Sequence, residues 1–313
     1  MGLVNTLYLR DIISIGDLER EDLERIFKVT DIIGSRESKD LRTIAEGKTL
    51  GAMFFEPSTR TRLSFEAAMN LLGGNVLGFS ETRNTSVEKG ETLADTVRML
   101  DCYSDAIVLR HPSEGAARYA AEIASKPVIS GGSGTEEHPT QAIVDLYTMI
   151  KEKGKIDGLK IGIVGDLKYG RTVYSLLYAL AKFKPHVYLV SPAELRIRED
   201  PLVELGGKLQ LSQHTNMDEV IGDVDVLYVT RIQKERFPDA HDYERVRGSY
   251  VVDLPLLEKG KDDMIVMHPL PRLDEIATEV DSSKNAKYFV QACRAKTVRA
   301  ALLTLLLSEQ PPY

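Results

Sequence analysis

Residues 49–72 read TLGAMFFEPSTRTRLSFEAAMNLL and contain a strand-like segment, a polar turn and a helical pattern in close succession. The largely apolar run Thr49–Phe55 predicts a buried strand, and the spacing of apolar residues over Arg62–Leu72 predicts a helix. The Pro and Ser residues between these segments are typical of a turn. A strand that leads directly into a helix is the repeating unit of parallel sheets.

The same alternation continues on both sides of this stretch. An amphipathic helix is predicted around Leu18–Ile33. Further strands are predicted at Asn75–Phe79, Ala106–Leu109 and Pro127–Ser130, and further helices at Thr92–Tyr103, Ser113–Ala124 and His138–Ile150. Strands that alternate with helices in this way predict a parallel sheet.

The polar stretch Lys151–Gly158 interrupts this alternation and predicts a domain boundary. Beyond it, apolar runs typical of fully covered strands return. The predicted elements are strands at Lys160–Val164, Val187–Val190, Val224–Val229 and Met264–Met267, and a helix at Arg171–Lys182. The last helix, roughly Ala292–Leu307, is apolar on more than one side and is predicted to pack between the domains. The fold class is therefore α/β, with two doubly wound parallel-sheet domains of similar size joined by terminal helices.

The composition excludes several classes of protein. Of 313 residues, 43% are hydrophobic and 28% are charged, which is typical of a folded globular chain. The net charge of −7 argues against a general nucleic-acid surface or an anionic membrane surface, since both require excess positive charge. The apolar run Ala300–Leu307 is too short to span a membrane, and Cys102 and Cys293 are too few for a disulfide framework. We therefore expect a cytoplasmic protein.

Common cofactor and nucleophile motifs do not fit. Gly165, Asp166 and Gly170 follow a predicted strand, but the G-x-G-x-x-G spacing of dinucleotide-binding folds is missing. The six histidines are dispersed without metal-ligand spacing, and no G-x-S-x-G elbow is present, so neither a metal nor a covalent nucleophile is predicted. An NAD-dependent dehydrogenase remains the alternative from a different class, and a nicotinamide-binding titration would distinguish it.

The strongest local motif is the segment that follows the first strand, Phe54 to Arg62. Three hydroxyls and two arginines stand where the next helix begins. A helix N-terminus presents unpaired N–H groups and a positive dipole end, and arginine can bind two phosphate oxygens at once. The alternative is an ordinary capped helix, because Ser and Thr are common caps. The sequence favours a site for a phosphate-like anion.

Two further segments of the first half carry candidate binding residues. Arg110 directly follows a predicted strand, where ligands of open α/β sheets gather. His138 and Gln141 open a predicted helix three residues apart and so share one of its faces. By residue chemistry alone, the polar segment Asn84–Glu91 is a surface loop.

In the second half, arginines again follow predicted strands. Arg171 opens a helix, and Arg231 and Gln233 come directly after another strand, an arrangement that suits a ligand with two carboxylates. The alternative for these arginines is a salt bridge to a local acid such as Asp166 or Glu235.

Taken in order, these segments resemble the catalytic chain of aspartate carbamoyltransferase over nearly the whole sequence. Seven segments match: Ser58–Arg62, Ser86–Thr92, Arg110–Pro112, His138–Gln141, Gly165–Thr172, Thr230–Glu235 and His268–Arg272. The resemblance implies a carbamoyltransferase-like fold, with a carbamoyl-phosphate-binding domain at 1–150 completed by 288–313, and an aspartate-binding domain at 151–287. It also implies transfer of the carbamoyl group of carbamoyl phosphate to the amine of L-aspartate, an early step of pyrimidine biosynthesis, without a cofactor.

The resemblance also implies residue roles. Carbamoyl phosphate would be bound by Ser58, Thr59, Arg60, Thr61, Arg110, His138 and Gln141 and by the backbone of Leu270 and Pro271. Aspartate would be bound by Lys89, Arg171, Arg231 and Gln233. The residues with catalytic roles would be Arg60, Thr61, Lys89, Arg110 and His138.

The family further implies a homotrimer in which Ser86 and Lys89 are lent to the site of the neighbouring subunit. This role replaces the surface-loop interpretation of that segment. A separate regulatory chain in a larger allosteric assembly is also expected. The nearest alternative within the family is ornithine carbamoyltransferase, which should carry cysteine in the His-Pro-Leu-Pro loop, where this chain has Leu270.

Overall fold

The chain divides into two units, each built on one parallel sheet. The computed structural model describes residues 5–134, 137–233, 237 and 239–311. The first unit comprises Met1–Ile143 and Arg294–Tyr313, and the second comprises Val144–Cys293. Two domains with helix-flanked parallel sheets were predicted, and this fold class is confirmed. The sequence-based limits, 1–150 with 288–313 and 151–287, remain predictions beside this division.

The first unit contains a four-stranded sheet in the order β2-β1-β3-β4, and every pairing is parallel. Its strands are β1 (Thr49–Phe54), β2 (Asn75–Phe79), β3 (Ala106–His111) and β4 (Val128–Ser133). Its helices are α1 (Arg20–Ser35), α2 (Ser38–Leu41), α3 (Thr59–Leu71), α4 (Leu93–Tyr103) and α5 (Ala116–Ile123). Helix α6 (Pro139–Lys153) begins in this unit, and α11 (Tyr288–Leu307) ends in it.

The second unit contains a five-stranded parallel sheet in the order β7-β6-β5-β8-β9. Its strands are β5 (Lys160–Val164), β6 (His186–Val190), β7 (Gln210–His214), β8 (Val226–Val229) and β9 (Ile265–Met267). Its helices are α7 (Arg171–Leu180), α8 (Glu199–Leu205), α9 (Ala240–Val246) and α10 (Leu254–Glu258).

The ends of several elements differ from the sequence-based prediction, and three of these differences lie beside the candidate site. Helix α3 begins at Thr59 instead of Arg62, because Ser58 already has the extended backbone of an N-cap residue. Strand β3 continues through Arg110 and His111, since Arg110 pairs with Phe54 of β1. Strand β4 likewise continues to Ser133, through glycines that a propensity argument excludes from strands.

Strand β7 was not predicted at all. It lies at the edge of the second sheet, and all its residues are exposed or half-buried, without the continuous apolar run of the central strands. The buried residues of the two sheets form separate apolar clusters. Helix α11 is buried on all sides from Ala300 to Leu306. None of the helices in the described parts of the chain combines the length and apolarity that a membrane crossing requires.

The strand orders identify one special position in each sheet. In the first unit the chain moves outward from β1 to β2 and then returns to place β3 on the other side of β1. In the second unit it moves from β5 through β6 to β7 and then places β8 beside β5. Ligands of doubly wound folds bind beyond the carboxyl ends of the two strands that flank such a reversal.

Candidate active site

The reversal in the first unit lies beside the start of α3. Ser58 precedes the helix with φ −155° and ψ 96°, and its hydroxyl makes no capping hydrogen bond. The helix therefore starts without using the side chain that the ordinary-cap interpretation requires. Thr59 and Arg60 are exposed in its first turn. Arg62 faces elsewhere, because its Nη1 atom lies 2.8 Å from Glu66 Oε1 one turn further along the helix.

A buried pair joins this helix start to the segment before α6. Thr61 Oγ1 and His138 Nε2 are 3.2 Å apart, and the two residues are only 7% and 5% exposed. His138 immediately precedes Pro139, the first residue of α6, and its carbonyl accepts from the Gln141 amide at 3.0 Å. Gln141 is half-buried in the same helical turn. The predicted residues of two distant segments are therefore neighbours here.

Arg110 reaches the same place from β3. Its Nη1 atom donates to the Gly131 carbonyl at 3.2 Å, and its Nη2 atom lies 2.6 Å from Glu56 Oε1. Gly132 has φ +101°, and a Cβ atom at that position would lie 3.4 Å from both Arg110 Nη1 and His138 Cδ2. Both side chains thus pack against one glycine of β4. Hydroxyl, imidazole and guanidinium groups converge around it.

Glu56 was not singled out from the sequence. It belongs to the quoted turn after β1, and its carboxylate pairs with Arg110 because β1 and β3 are neighbours in register at Phe54 and Arg110. The signal available in the sequence was an acid directly after one strand and an arginine directly at the end of another. The strand order needed to bring them together was not predicted.

Ser86 and Lys89 lie at the surface of the first unit. They begin and end a short 3-10 helix in the loop after β2, and both are exposed. Neither side chain hydrogen-bonds or forms an ion pair with any residue in the described part of this chain. The segment is therefore exposed in this chain, and its role in a neighbouring subunit stays a prediction.

In the second unit, Gly165 brings the ends of β5 and β8 into close contact. Gly165 has φ +118°, and a Cβ atom there would lie 2.2 Å from the Thr230 carbonyl oxygen. The Thr230 amide donates to the Val164 carbonyl at 2.8 Å. Glycine is therefore required for packing, a physical reason for a residue that superficially suggested dinucleotide binding.

Asp166 organises the two loops that follow these strands. Its carboxylate is fully buried and accepts from the Tyr169 amide at 2.9 Å and from the Gln233 amide at 3.3 Å. The Gln233 side chain also donates to the Tyr169 carbonyl at 3.2 Å. Burial raises the pKa of Asp166, while these hydrogen bonds and the charge of Arg231 act in the opposite direction. Arg171 begins α7 directly after the Asp166 loop.

Asp166 thus interacts with Arg231, as the salt-bridge alternative proposed, while Glu235 lies outside the described residues. Arg231 also lines a small pocket of about 20 Å³ within the second unit. The other side chains of this pocket include Tyr243, Arg247, Tyr250 and Glu275. A cavity of this size has room for about one water molecule.

The loop after β9 is held by its own side chains. The Leu270 amide donates to His268 Nδ1 at 2.7 Å, so His268 Nε2 carries the proton that it shares with Glu275 Oε1, also at 2.7 Å. Burial acts to raise the pKa of Glu275, but hydrogen bonds from His268 and from the Leu273 backbone outweigh it, and the pKa is lowered. Leu270 has φ +55°, a left-handed backbone conformation, directly before Pro271.

Two family models match the chain, one in each half. The model of the carbamoyl-phosphate-binding domain of aspartate/ornithine carbamoyltransferases matches residues 10–151. The model of the aspartate/ornithine-binding domain of the same enzymes matches residues 157–306.

Curated relatives and solved structures agree with these matches. The chain is 61% identical over 306 residues to an aspartate carbamoyltransferase catalytic subunit of Nitrosopumilus maritimus, covering 98% of this chain and 99% of the relative. It is 52% identical over 298 residues to that of Archaeoglobus fulgidus, covering 95% and 98%.

Among solved structures, aspartate transcarbamoylase from Trypanosoma cruzi in complex with carbamoyl aspartate and phosphate superimposes with a TM-score of 0.93 at 38% identity, over 98% of this chain and 99% of that one. The catalytic subunit of the M. jannaschii enzyme superimposes with a TM-score of 0.87 at 48% identity, over 94% and 97%. By sequence and by fold, the chain belongs to the aspartate/ornithine carbamoyltransferase family.

Proposed function

We propose that this chain transfers the carbamoyl group of carbamoyl phosphate to the amine of L-aspartate, giving N-carbamoyl-L-aspartate and phosphate. The reaction is the committed early step of de novo pyrimidine biosynthesis. Relatives that are 52–61% identical over nearly their whole length carry the name of this enzyme. The similar T. cruzi enzyme has been solved with carbamoyl phosphate, with aspartate, and with carbamoyl aspartate plus phosphate.

The phosphate is bound at the start of α3. The exposed N-terminal turn supplies backbone N–H groups and the positive end of the helix dipole. Ser58, Thr59 and Thr61 add hydroxyl donors, and Arg60 and Arg110 add the charge that a phosphate dianion requires. The Ser58 hydroxyl, which does not cap the helix, remains available for this contact.

The carbamoyl oxygen is bound by Thr61, Arg110 and His138. As the aspartate amine attacks the carbamoyl carbon, negative charge collects on this oxygen before the phosphate leaves. Donors fixed in advance around that position stabilise the transition state without a metal or an enzyme nucleophile. The observation that carries the proposal is the packing of Arg110 and His138 against Gly132, with Thr61 3.2 Å from His138.

The carbamoyl amide donates to Gln141 and to the carbonyls of Leu270 and Pro271. The hydrogen bonds of His268 with the Leu270 amide and with Glu275 hold the loop that presents these carbonyls. A fixed acceptor pair favours the amide of carbamoyl phosphate over a phosphate ester that lacks it.

Arg171, Arg231 and Gln233 bind the two carboxylates of aspartate, together with Lys89. In the second unit, Asp166 fixes the backbone of Gln233 beside Arg231. Two guanidinium groups, one at the start of α7 and one in the loop after β8, can each pair with one carboxylate, which selects a dicarboxylic amino acid over a monocarboxylic one.

Phosphate release from carbamoyl phosphate tests this function. We expect release that depends on L-aspartate, with N-carbamoyl-L-aspartate identified by mass, and no release with L-ornithine. Ornithine-dependent release would mean that the second unit was assigned the wrong substrate, while the carbamoyl phosphate assignment stands. An active preparation of a close relative provides the positive control, and no release with either amine would contradict the proposal.

The active site is proposed to be shared within a homotrimer, with Ser86 and Lys89 serving the neighbouring subunit. Both side chains are exposed and have no partner in the described part of their own chain. Mixing trimers of Arg60→Ala with trimers of Lys89→Ala under exchange conditions should restore part of the activity. A mixture of Arg60→Ala with His138→Ala provides the control, because both changes affect residues that a chain keeps for itself. Mixed trimers without recovered activity would contradict the shared site.

A regulatory chain is proposed as a further partner, since the similar curated proteins are named catalytic subunits. Size-exclusion chromatography of the chain with and without a co-expressed regulatory chain tests this. We expect a complex larger than a trimer, and elution of the trimer alone in both samples would contradict it.

A further inference from the structure

A buried arginine on α11 contacts two helices of the first unit. Arg299 is 1% exposed and is among the largest fully buried side chains of the described residues. Its Nη1 atom donates to Ser64 Oγ on α3, and its Nη2 atom donates to Thr140 Oγ1 on α6 at 3.3 Å. The guanidinium also lies 4.9 Å from the centre of the Phe65 ring. Removing a guanidinium from water is costly unless polar partners surround it, and these partners belong to two separate helices.

Both hydroxyls lead directly to the proposed carbamoyl phosphate site. Ser64 Oγ lies 2.6 Å from the Arg60 carbonyl and 2.9 Å from the Thr61 carbonyl, so it donates to the first turn of α3 while it accepts from Arg299. Thr140 stands between His138 and Gln141 at the start of α6. The two nitrogens of one rigid guanidinium thus join the first turns of α3 and α6.

We propose that Arg299 is a positioning residue that holds the two halves of the carbamoyl phosphate site at their working distance. It acts on the pair in which Thr61 Oγ1 lies 3.2 Å from His138 Nε2. Because its side chain is buried, it does not touch the substrate. The planar fork of arginine fixes the separation of its two hydroxyl partners, whereas lysine would present a single nitrogen on a flexible stem. The inference rests on the proposed function and extends it to a residue outside the substrate contacts.

Arg299→Lys and Arg299→Met test this role, with Thr304→Val as the matched control. Thr304 is also buried on α11, but its hydroxyl donates to the Ala300 carbonyl of its own helix. We expect the arginine variants to lose on the order of 10- to 100-fold in kcat/KM for carbamoyl phosphate, since a displacement of about 1 Å in a site can cost that much. Affinity for inorganic phosphate, measured as inhibition, should fall in parallel. The Michaelis constant for aspartate, at saturating carbamoyl phosphate, should change less than about twofold.

A purely structural role would give a different pattern. It would lower the melting temperatures of Arg299→Lys and Thr304→Val by similar amounts. It would leave the phosphate affinity of the folded protein unchanged in both variants. That result would overturn the inference. Ser64→Ala extends the test if Arg299→Met does not fold. Because Arg299 acts through Ser64, the double variant Arg299→Lys with Ser64→Ala should lose less than the product of the two single losses, whereas independent effects would multiply.

Activity of the unmodified chain separates a failure of the proposed function from a failure of the positioning role. If the unmodified chain does not convert carbamoyl phosphate and aspartate, the proposed function is wrong. If the unmodified chain is active and the Arg299 variants bind inorganic phosphate as tightly as it does, only the positioning role is wrong.

Discussion

Replacing Asp166 by asparagine should damage the proposed aspartate site selectively. In the folded chain its two carboxylate oxygens accept from the backbone amides of Tyr169 and Gln233, at 2.9 and 3.3 Å. Asparagine keeps the shape but replaces one oxygen by an NH₂ group, so a buried amide loses its acceptor and faces another donor. Leaving a buried donor without a partner costs about 1–3 kcal/mol.

That energy sets the size of the expected effect. If this free energy is lost entirely from aspartate binding, because the loop that carries Arg231 and Gln233 is displaced, the Michaelis constant for aspartate should rise by roughly 5- to 150-fold. The Michaelis constant for carbamoyl phosphate should stay within about twofold, because its proposed ligands at the start of α3 lie in the first unit. Initial rates measured across both substrate concentrations would give the two constants.

Asp225→Asn is a matched control for this experiment. Asp225 also accepts from a backbone amide, that of Lys160, at 2.8 Å, and it pairs with Lys261 at 2.7 Å. It lies at the amino ends of β5 and β8, whereas Asp166 follows the carboxyl end of β5. We expect Asp225→Asn to lower stability without raising the Michaelis constant for aspartate. Equal effects of the two variants on that constant would refute the assignment of Asp166 to the aspartate site.

The stability of the unmodified chain should also depend on pH in a defined direction, because its Asp166 titrates. Burial raises the pKa of Asp166 above its ordinary value of 3.8, so the folded chain retains this proton at a pH where the unfolded chain has lost it. The group therefore contributes stability below the ordinary pKa, and this contribution is lost as the pH rises through the raised value. The free energy of unfolding of Asp166→Asn, measured in urea at several pH values, should not show this loss. If the variant and the unmodified chain have the same pH profile, Asp166 does not titrate as inferred.

Three further substitutions test the contacts of the other loops. Arg110→Lys should reduce turnover on the order of 10²-fold in steady-state kinetics, because a guanidinium with two oxygen partners is replaced by one ammonium. The control Arg62→Lys should change turnover less than about threefold. Gly132→Ala should lower the free energy of unfolding by about 1–2 kcal/mol, because its φ of +101° lies in a backbone region that residues with a Cβ atom rarely adopt; denaturant unfolding with no change would contradict this. The pKa of Glu275 is lowered, so its carboxylate stabilises the fold above the ordinary pKa of 4.5. The difference in melting temperature between the unmodified chain and Glu275→Gln should therefore shrink as the pH falls from about 7 to about 3. A difference that stays constant with pH would contradict this prediction.

The central strands could be predicted because their burial leaves a direct trace in the sequence. Strands β1, β5 and β8 are covered on both faces and therefore consist of continuous apolar runs. Strand β7 has no such run, because an edge strand with one half-exposed face tolerates Gln, Ser and His. Local composition identifies a strand only where burial constrains every residue.

The local environment of the site was harder to predict than the residues themselves. Ser58 to Thr61, Arg110 and His138 were selected because each stands where a strand ends or a helix begins. Their contacts depend on strand order and register, which bring Thr61 within 3.2 Å of a residue 77 positions away in the sequence. Which of these residues bind substrate stays a prediction, while their proximity is a property of the fold.

The buried arginine that is proposed to position the site, Arg299, could not be recognised from the sequence. Arg299 stands in a helix whose other residues from Ala300 to Leu306 are buried, mostly apolar side chains. An arginine in such a helix, which also carries Arg294 and Lys296, suggests a solvent-facing position as readily as a buried one. Its partners, Ser64 and Thr140, are ordinary helix residues, and only the packed structure shows that one guanidinium joins them.

A chain with a net charge of −7 must bind anionic substrates through local fields, and the two units share one arrangement of charges. Each places an arginine at the strand reversal with an acid near it: Glu56 Oε1 lies 2.6 Å from Arg110 Nη2, and the charge of Arg231 acts on the buried Asp166 carboxylate. Such a carboxylate weakens the positive field, and the direct ion pair of Glu56 with Arg110 also restricts the rotamers of that guanidinium. Since transition-state stabilisation depends on donors that need no reorganisation during the reaction, a loss of affinity for the substrate anion is offset by a gain in rate. This explains why Glu56 lies within hydrogen-bond distance of Arg110, an arginine that is proposed to bind an anion.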